Sequence, residues 1–291
     1  MPNVQEIITN RIIELLEKGT APWQKPWTSR APVNLISQKP YRGLNVISLA
    51  SQGYASEYWL TFNQANKLGG KIRRSEHGSL VVFWHIGEER LNAKTGKLGK
   101  SVLLRYSTAF NLTQTEGIAE KLGLDRQVPR VPDIEAADAI VAAMPNRPEF
   151  VQSDKAWYSS ARDVVGLPPK ESFVSGEAFA SVRFHELAHS TGHASRLNRF
   201  EGENCDHRFG SESYSKEELV AELTASMLAG VCGISPKIIE NSASYCQSWI
   251  ARLKGDSRLI VAAASAAQKA TDYIQGITPK TATEVEAIAE C

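Results

Sequence analysis

His185-Glu186-Leu187-Ala188-His189 sets two imidazoles four residues apart, with a carboxylate directly after the first. On a helix, residues four apart share a face, so both rings can reach one metal ion. Glu186 stands one step round, where it can take a proton from a water attacking an amide. The pattern points to metal-dependent peptide hydrolysis with one divalent ion, Zn2+ first and Mn2+ as the alternative.

Such a site needs a third protein ligand. Six residues beyond the second His stands Ser195, so a His at that spacing is absent. A carboxylate from a following helix is the other solution. Lys216-Glu217-Glu218-Leu219-Val220-Ala221-Glu222 supplies Glu218 and Glu222 one turn apart. The preferred ligand set is His185, His189 and Glu218, with Glu222 orienting one His; the two glutamates can exchange roles. Tyr214, between the two helices, is the candidate donor to a developing oxyanion, because a phenol donates without titrating. His193 continues the four-residue series beyond Gly192 and is read as a surface cap, with oxyanion stabilisation as the alternative.

These side chains need helices to hold them. Ser175 can cap a helix that runs through the motif and ends near Gly192. Helical spacing also predicts helices near 215–230, 236–254 and 256–275, one at 133–144, and short strands near 149–152, 155–158 and 163–167. The front of the chain predicts a helix over 3–18, two short helices at 44–51 and up to Lys67, and strands at 71–74, 79–86 and 101–112. The last two strands face each other across a polar arm containing Lys94-Thr95-Gly96-Lys97. The fold class is α+β: an antiparallel sheet in front, and a mostly helical region with a small sheet behind. The Pro-flanked Val128–Pro132 places a boundary between residues 1–125 and 130–291.

The front carries a second kind of chemistry. Residues 1–110 hold 15 Lys and Arg against 7 Asp and Glu, a net +8, whereas 111–291 hold 18 against 25, a net −7. Aromatic and cationic side chains interleave in the basic half. Single-stranded nucleic acid is the partner they suit, since bases stack on rings at about 1–3 kcal/mol each while phosphates meet Lys and Arg. The candidates are Trp23, Lys25, Trp27, Tyr41, Arg42, Asn45, Lys71, Arg73 and Arg74. No helix-turn-helix, zinc finger or basic-zipper pattern favours duplex reading. The four cysteines are widely spaced without a CxxC pair, so neither a disulfide framework nor a disulfide-linked partner is expected. No apolar run approaches the roughly 20 residues that span a bilayer. The expectation is a cytoplasmic protein with no membrane partner.

The two halves together resemble the ArdC-type antirestriction proteins of mobile elements. In front the likeness rests on IITNRIIELLEKGTAPWQKPW, PYRGLN, WLTFNQANKLGGKIRRSEHGSLVVFW and VLLRYSTAFNLTQTEG. Behind, it rests on AWYSSARDVVGLPPKESF, FHELAHSTGHASRLNR, FGSESYSKEELVAEL and SWIARLKGDSRLIVAAASAAQKATDYI. The front is similar to a single-stranded-DNA-binding domain shared with some conjugation-associated primases, and the back to a zincin-like metallopeptidase domain. The resemblance implies a factor of a conjugative plasmid that protects incoming DNA from host restriction, by coating or acting on the entering strand; a protein substrate is an expectation of the HExxH motif and not of the likeness.

Overall fold

The computed structural model describes residues 4–19, 21–23, 31–91, 98–124, 133–200, 212–234 and 243–277. The expected polar arm, the Pro-flanked segment, Lys25 and Trp27 lie outside the described residues.

Helix α1 (Val4–Glu17) turns Ile8, Ile12, Ile13 and Leu16 to one side, and all four are buried. The front sheet takes β1 (Val33–Asn34), β2 (Tyr58–Thr61), β4 (Ser79–Leu91) and β5 (Leu98–Asn111) in the order β1-β2-β5-β4. The long β4–β5 pair is antiparallel, and its register is interrupted between Ile86 and Glu89. β1 adds to β2 in parallel, a pairing that such short runs do not announce. Helix α2 (Leu44–Ala50) lies along β4, and α3 (Phe62–Lys67) opens with a capping box between Thr61 and Gln64. The KIRR run is strand only at β3 (Lys71–Ile72), which pairs with β6 (Thr115–Glu116); a short α4 (Ala119–Leu122) follows.

Behind it, α5 (Ile134–Ala143) precedes a three-stranded sheet of β7 (Glu149–Gln152), β8 (Trp157–Ser159) and β9 (Val164–Leu167), ordered β7-β9-β8. Four helices complete the chain: α6 (Gly176–Ser190), α7 (Glu212–Val231), α8 (Ala243–Gly255) and α9 (Leu259–Ile274). The architecture is α+β, as expected. Cys232 and Cys246 are buried and not joined in a disulfide. Among the described residues no helix is long and apolar enough to cross a membrane.

The largest apolar cluster draws on both halves of the chain. Ile8, Ile12, Leu16, Trp23 and Ile47 pack with Leu219, Leu223 and Met227 of α7, Trp249 and Leu253 of α8, and Ile260 and Ala264 of α9. Exposing an aliphatic core side chain costs about 1.5–3 kcal/mol. Peeling α1 away would expose four of them, a cost on the scale of a whole domain's stability. The helix that carries the candidate metal ligand Glu218 is therefore seated on the front of the molecule.

Candidate metal centre and nucleic-acid face

Ser175 accepts a hydrogen bond from the Ala178 amide and starts α6, which runs two turns before reaching His185. Ala180, Phe184, Leu187 and Ala188 are fully buried. That fixes the helix's rotation and turns His185 and His189 toward α7. Their Nε2 atoms are 3.1 Å apart. Glu218 reaches in from α7, with Oε2 3.6 Å from His185 Nε2 and Oε1 3.5 Å from His189 Nε2. Donors about 2.0–2.1 Å from a tetrahedral ion stand about 3.3–3.4 Å from one another. The three observed separations bracket that edge, so two imidazoles and a carboxylate fit one divalent metal ion. Of the two candidate carboxylates, Glu218 is the one in this donor cluster; Glu222, a turn further along α7 and partly buried, is not in it.

The electrostatics divide the two imidazoles. Burial, with His189 as a positive neighbour, pushes the His185 imidazole down to about 3, so its lone pair stays available. Burial also pulls His189 down, but the carboxylates of Glu217, Glu218 and Glu186 outweigh it and raise its pKa. Glu186 is 8% exposed; burial and the nearby Glu218 raise its carboxyl to about 7 against the pull of His189. A carboxyl with that affinity exchanges its proton near neutral pH.

Two neighbours of the site were not singled out in the sequence. Glu217 places Oε1 3.6 Å from His189 Nδ1, on the side of the ring away from the donor cluster. Arg199 holds that carboxylate with two contacts, Nη2 to Oε1 at 2.6 Å and Nε to Oε2 at 3.1 Å. Beyond α6, the His193 Nδ1 meets Ser195 Oγ at 2.8 Å and lies 3.9 Å from Asp163. Asp163 takes a two-pronged contact from Arg196 and a hydrogen bond from Tyr158, which ties the turn after the motif to the β8–β9 pair. His193 is thus engaged with its own turn. Tyr214 lies in the first turn of α7, and its side chain is outside the described residues.

In the front, the structure corrects one expected DNA contact and shows three others engaged with the protein. Trp23 is 1% exposed and packs edge-to-face on Trp249, with ring centroids 5.8 Å apart. Its Pro-rich surroundings suggested exposure, but the ring is core and no base can stack on it. Asn45 donates to the Val82 carbonyl at 2.6 Å and accepts from the Val82 amide at 2.7 Å, so its amide is spent covering the edge of β4. Arg42 pairs with Asp272 of α9, and the adjacent Gly43 amide donates to Gln268 Oε1 at 2.6 Å. Tyr41 is partly buried against two apolar clusters, and its hydroxyl lies 3.4 Å from Asn34 Nδ2. These four residues hold the fold together. Lys71, Arg73 and Arg74 are exposed, on β3 and the turn after it. The exposed rings of the front among the described residues are Phe62 at 54% and Tyr106 at 52%; neither is among the candidates named above.

The comparisons with known proteins divide along the same two regions. Residues 2–110 match the family described as the N-terminal domain of anti-restriction factor ArdC, and residues 135–266 match the one described as a zincin-like metallopeptidase. Two DNA primases TraC of Escherichia coli are 35% and 33% identical over 94% of this chain. The chain spans 27% and 20% of the lengths of these two primases. The uncharacterized protein y4eC of Sinorhizobium fredii is 31% identical, with 94% of this chain and 91% of that protein covered. Among solved structures, the antirestriction ArdC protein from the R388 plasmid superposes in its metal-free form with a TM-score of 0.73 at 36% identity, over 94% of this chain and 97% of that one. Its Mn(II)-bound form gives 0.72 at 35% identity, over 94% and 98%. With both halves matched and a relative of the same length sharing the fold from end to end, the chain belongs to the ArdC-type antirestriction family.

Proposed function

We propose that the protein binds single-stranded DNA entering a cell, protects it from restriction in the cytoplasm, and carries a metal-dependent peptidase. The observation that carries the peptidase reading is the convergence of His185, His189 and Glu218 beside a buried Glu186. The first three would hold the ion. Zn2+ suits the tetrahedral spacing, and Mn2+ is the alternative because the R388 relative binds Mn(II). When bound, the ion would polarise the scissile carbonyl and stabilise the negative charge that develops on it. Glu186 takes a proton from the attacking water and returns it to the leaving amine, so one water and one amide give a carboxylate and an amine. Tyr214 remains the proposed donor to the oxyanion. Digestion of a random peptide library by the zinc-loaded chain tests this. Cleavage that disappears in Glu186→Ala supports the mechanism, and cleavage that survives unchanged rejects it.

A second reading, favoured by the exposed Lys71, Arg73 and Arg74, makes the protein a DNA-binding factor whose ion is structural. Protection of incoming DNA in a restriction-proficient host separates the two. Protection that survives Glu186→Ala but fails when the three cations are replaced favours binding alone. In either reading Phe62 and Tyr106 take over the stacking role first expected of Trp23.

A further inference from the structure

The carboxylate pair Glu217-Glu218 brackets a single imidazole. Glu218 approaches the Nε2 side of His189 at 3.5 Å, and Glu217 approaches its Nδ1 side at 3.6 Å. A neutral imidazole that offers one nitrogen to a cation carries its proton on the other. With Nε2 given to an ion, the proton would be left on Nδ1, the nitrogen that Glu217 faces at 3.6 Å.

Glu217 is itself held in place. Arg199 grips both of its oxygens and gives two further contacts to the end of α6 and its cap: Nη1 to Thr191 Oγ1 at 2.6 Å and Nη2 to the Ala188 carbonyl at 2.9 Å. One guanidinium thus joins the end of the motif helix to α7. The chain delivers Arg199 there by folding back at Gly192, whose carbonyl accepts from the Arg199 amide at 2.9 Å. A Cβ at Gly192 would lie 2.4 Å from the Phe200 ring, which would have to turn aside to admit it.

We infer that Glu217, locked by Arg199, is a positioning residue of the metal centre: it accepts the Nδ1 proton of His189 and fixes that ring with its Nε2 lone pair on the ion. The inference rests on the metal reading of the site. A purely structural role, an ion pair stitching α6 to α7, is the competing account, and it would change melting without changing metal affinity.

The test is Zn2+ affinity of the full chain, by competition with a chromophoric chelator, alongside thermal melting of the metal-free protein. Glu217→Gln keeps the shape and removes the charge. It should weaken Zn2+ binding about 10–100-fold, the usual effect of losing such a partner. Arg199→Lys, which keeps a charge but loses the fork, should give a smaller loss in the same direction. His185→Ala and Glu218→Ala are the controls. If these leave the affinity unchanged, the metal reading itself fails. If they abolish binding while Glu217→Gln stays within twofold of the parent, only the positioning role is overturned. Should Glu217→Gln not fold, Arg199→Lys decides on the same terms.

Discussion

Polar side chains of α6 and α7 converge, whereas those of the 41–45 segment diverge. His185, His189 and Glu218 aim at one point from two helices. Tyr41, Arg42, Gly43 and Asn45 reach instead toward β1, α9 and β4, each to a separate partner. Convergence leaves lone pairs facing a common space and invites a ligand. Divergence uses up donors and acceptors inside the protein and leaves little for one. A dense run of functional side chains therefore says little until it is known whether they share a target.

The largest effect should come from the convergent side. Glu186→Gln, assayed at matched zinc occupancy, should slow peptide cleavage by about 10²–10⁴-fold, the usual contribution of a positioned base. Next is Trp23→Ala, which should cost about 3–5 kcal/mol in a urea melt, as large aromatic truncations in cores do. At a temperature where the variant remains folded, its affinity for single-stranded DNA should match the parent. A selective loss of DNA binding would return Trp23 to the nucleic-acid face. Replacing Lys71, Arg73 and Arg74 with Gln should weaken binding to an oligothymidylate and flatten its salt dependence by about 2 units of slope, at about 0.7 per lost phosphate contact. An unchanged slope would remove that face from the binding site. The smallest effect is expected for Arg42→Met. A half-exposed ion pair contributes about 1 kcal/mol or less, and the salt slope should not move.

The candidate donor cluster was legible because its spacing is geometric. Four residues make one helical turn, so His185 and His189 had to share a face; on the next helix the same rule puts Glu218 and Glu222 on one face and leaves the choice between them open. Glu217 was overlooked because a second Glu beside the first reads as a solvated charge run. Its partner Arg199 sits in a turn with no periodicity to mark it. Trp23 was misread for a related reason. Proline-rich surroundings argue for a loop, but they do not say whether the ring faces water, and its cover, Trp249, comes from a helix at the far end of the chain. The same distance in sequence hid the shared core of α1, α7, α8 and α9. Helix periods were readable along α1, α6 and α9, because each buries one face. Strands as short as β1 leave almost no pattern to read.

The account turns on three side chains holding one ion. A crystal structure of the zinc-loaded chain, with the ion located by its anomalous scattering, tests that most directly. The expected result is a single peak about 2.0–2.2 Å from His185 Nε2, His189 Nε2 and a Glu218 oxygen, with Glu186 beside it and not bound to it. A peak ligated by Glu222 in place of Glu218, or lying away from both histidines, would contradict it.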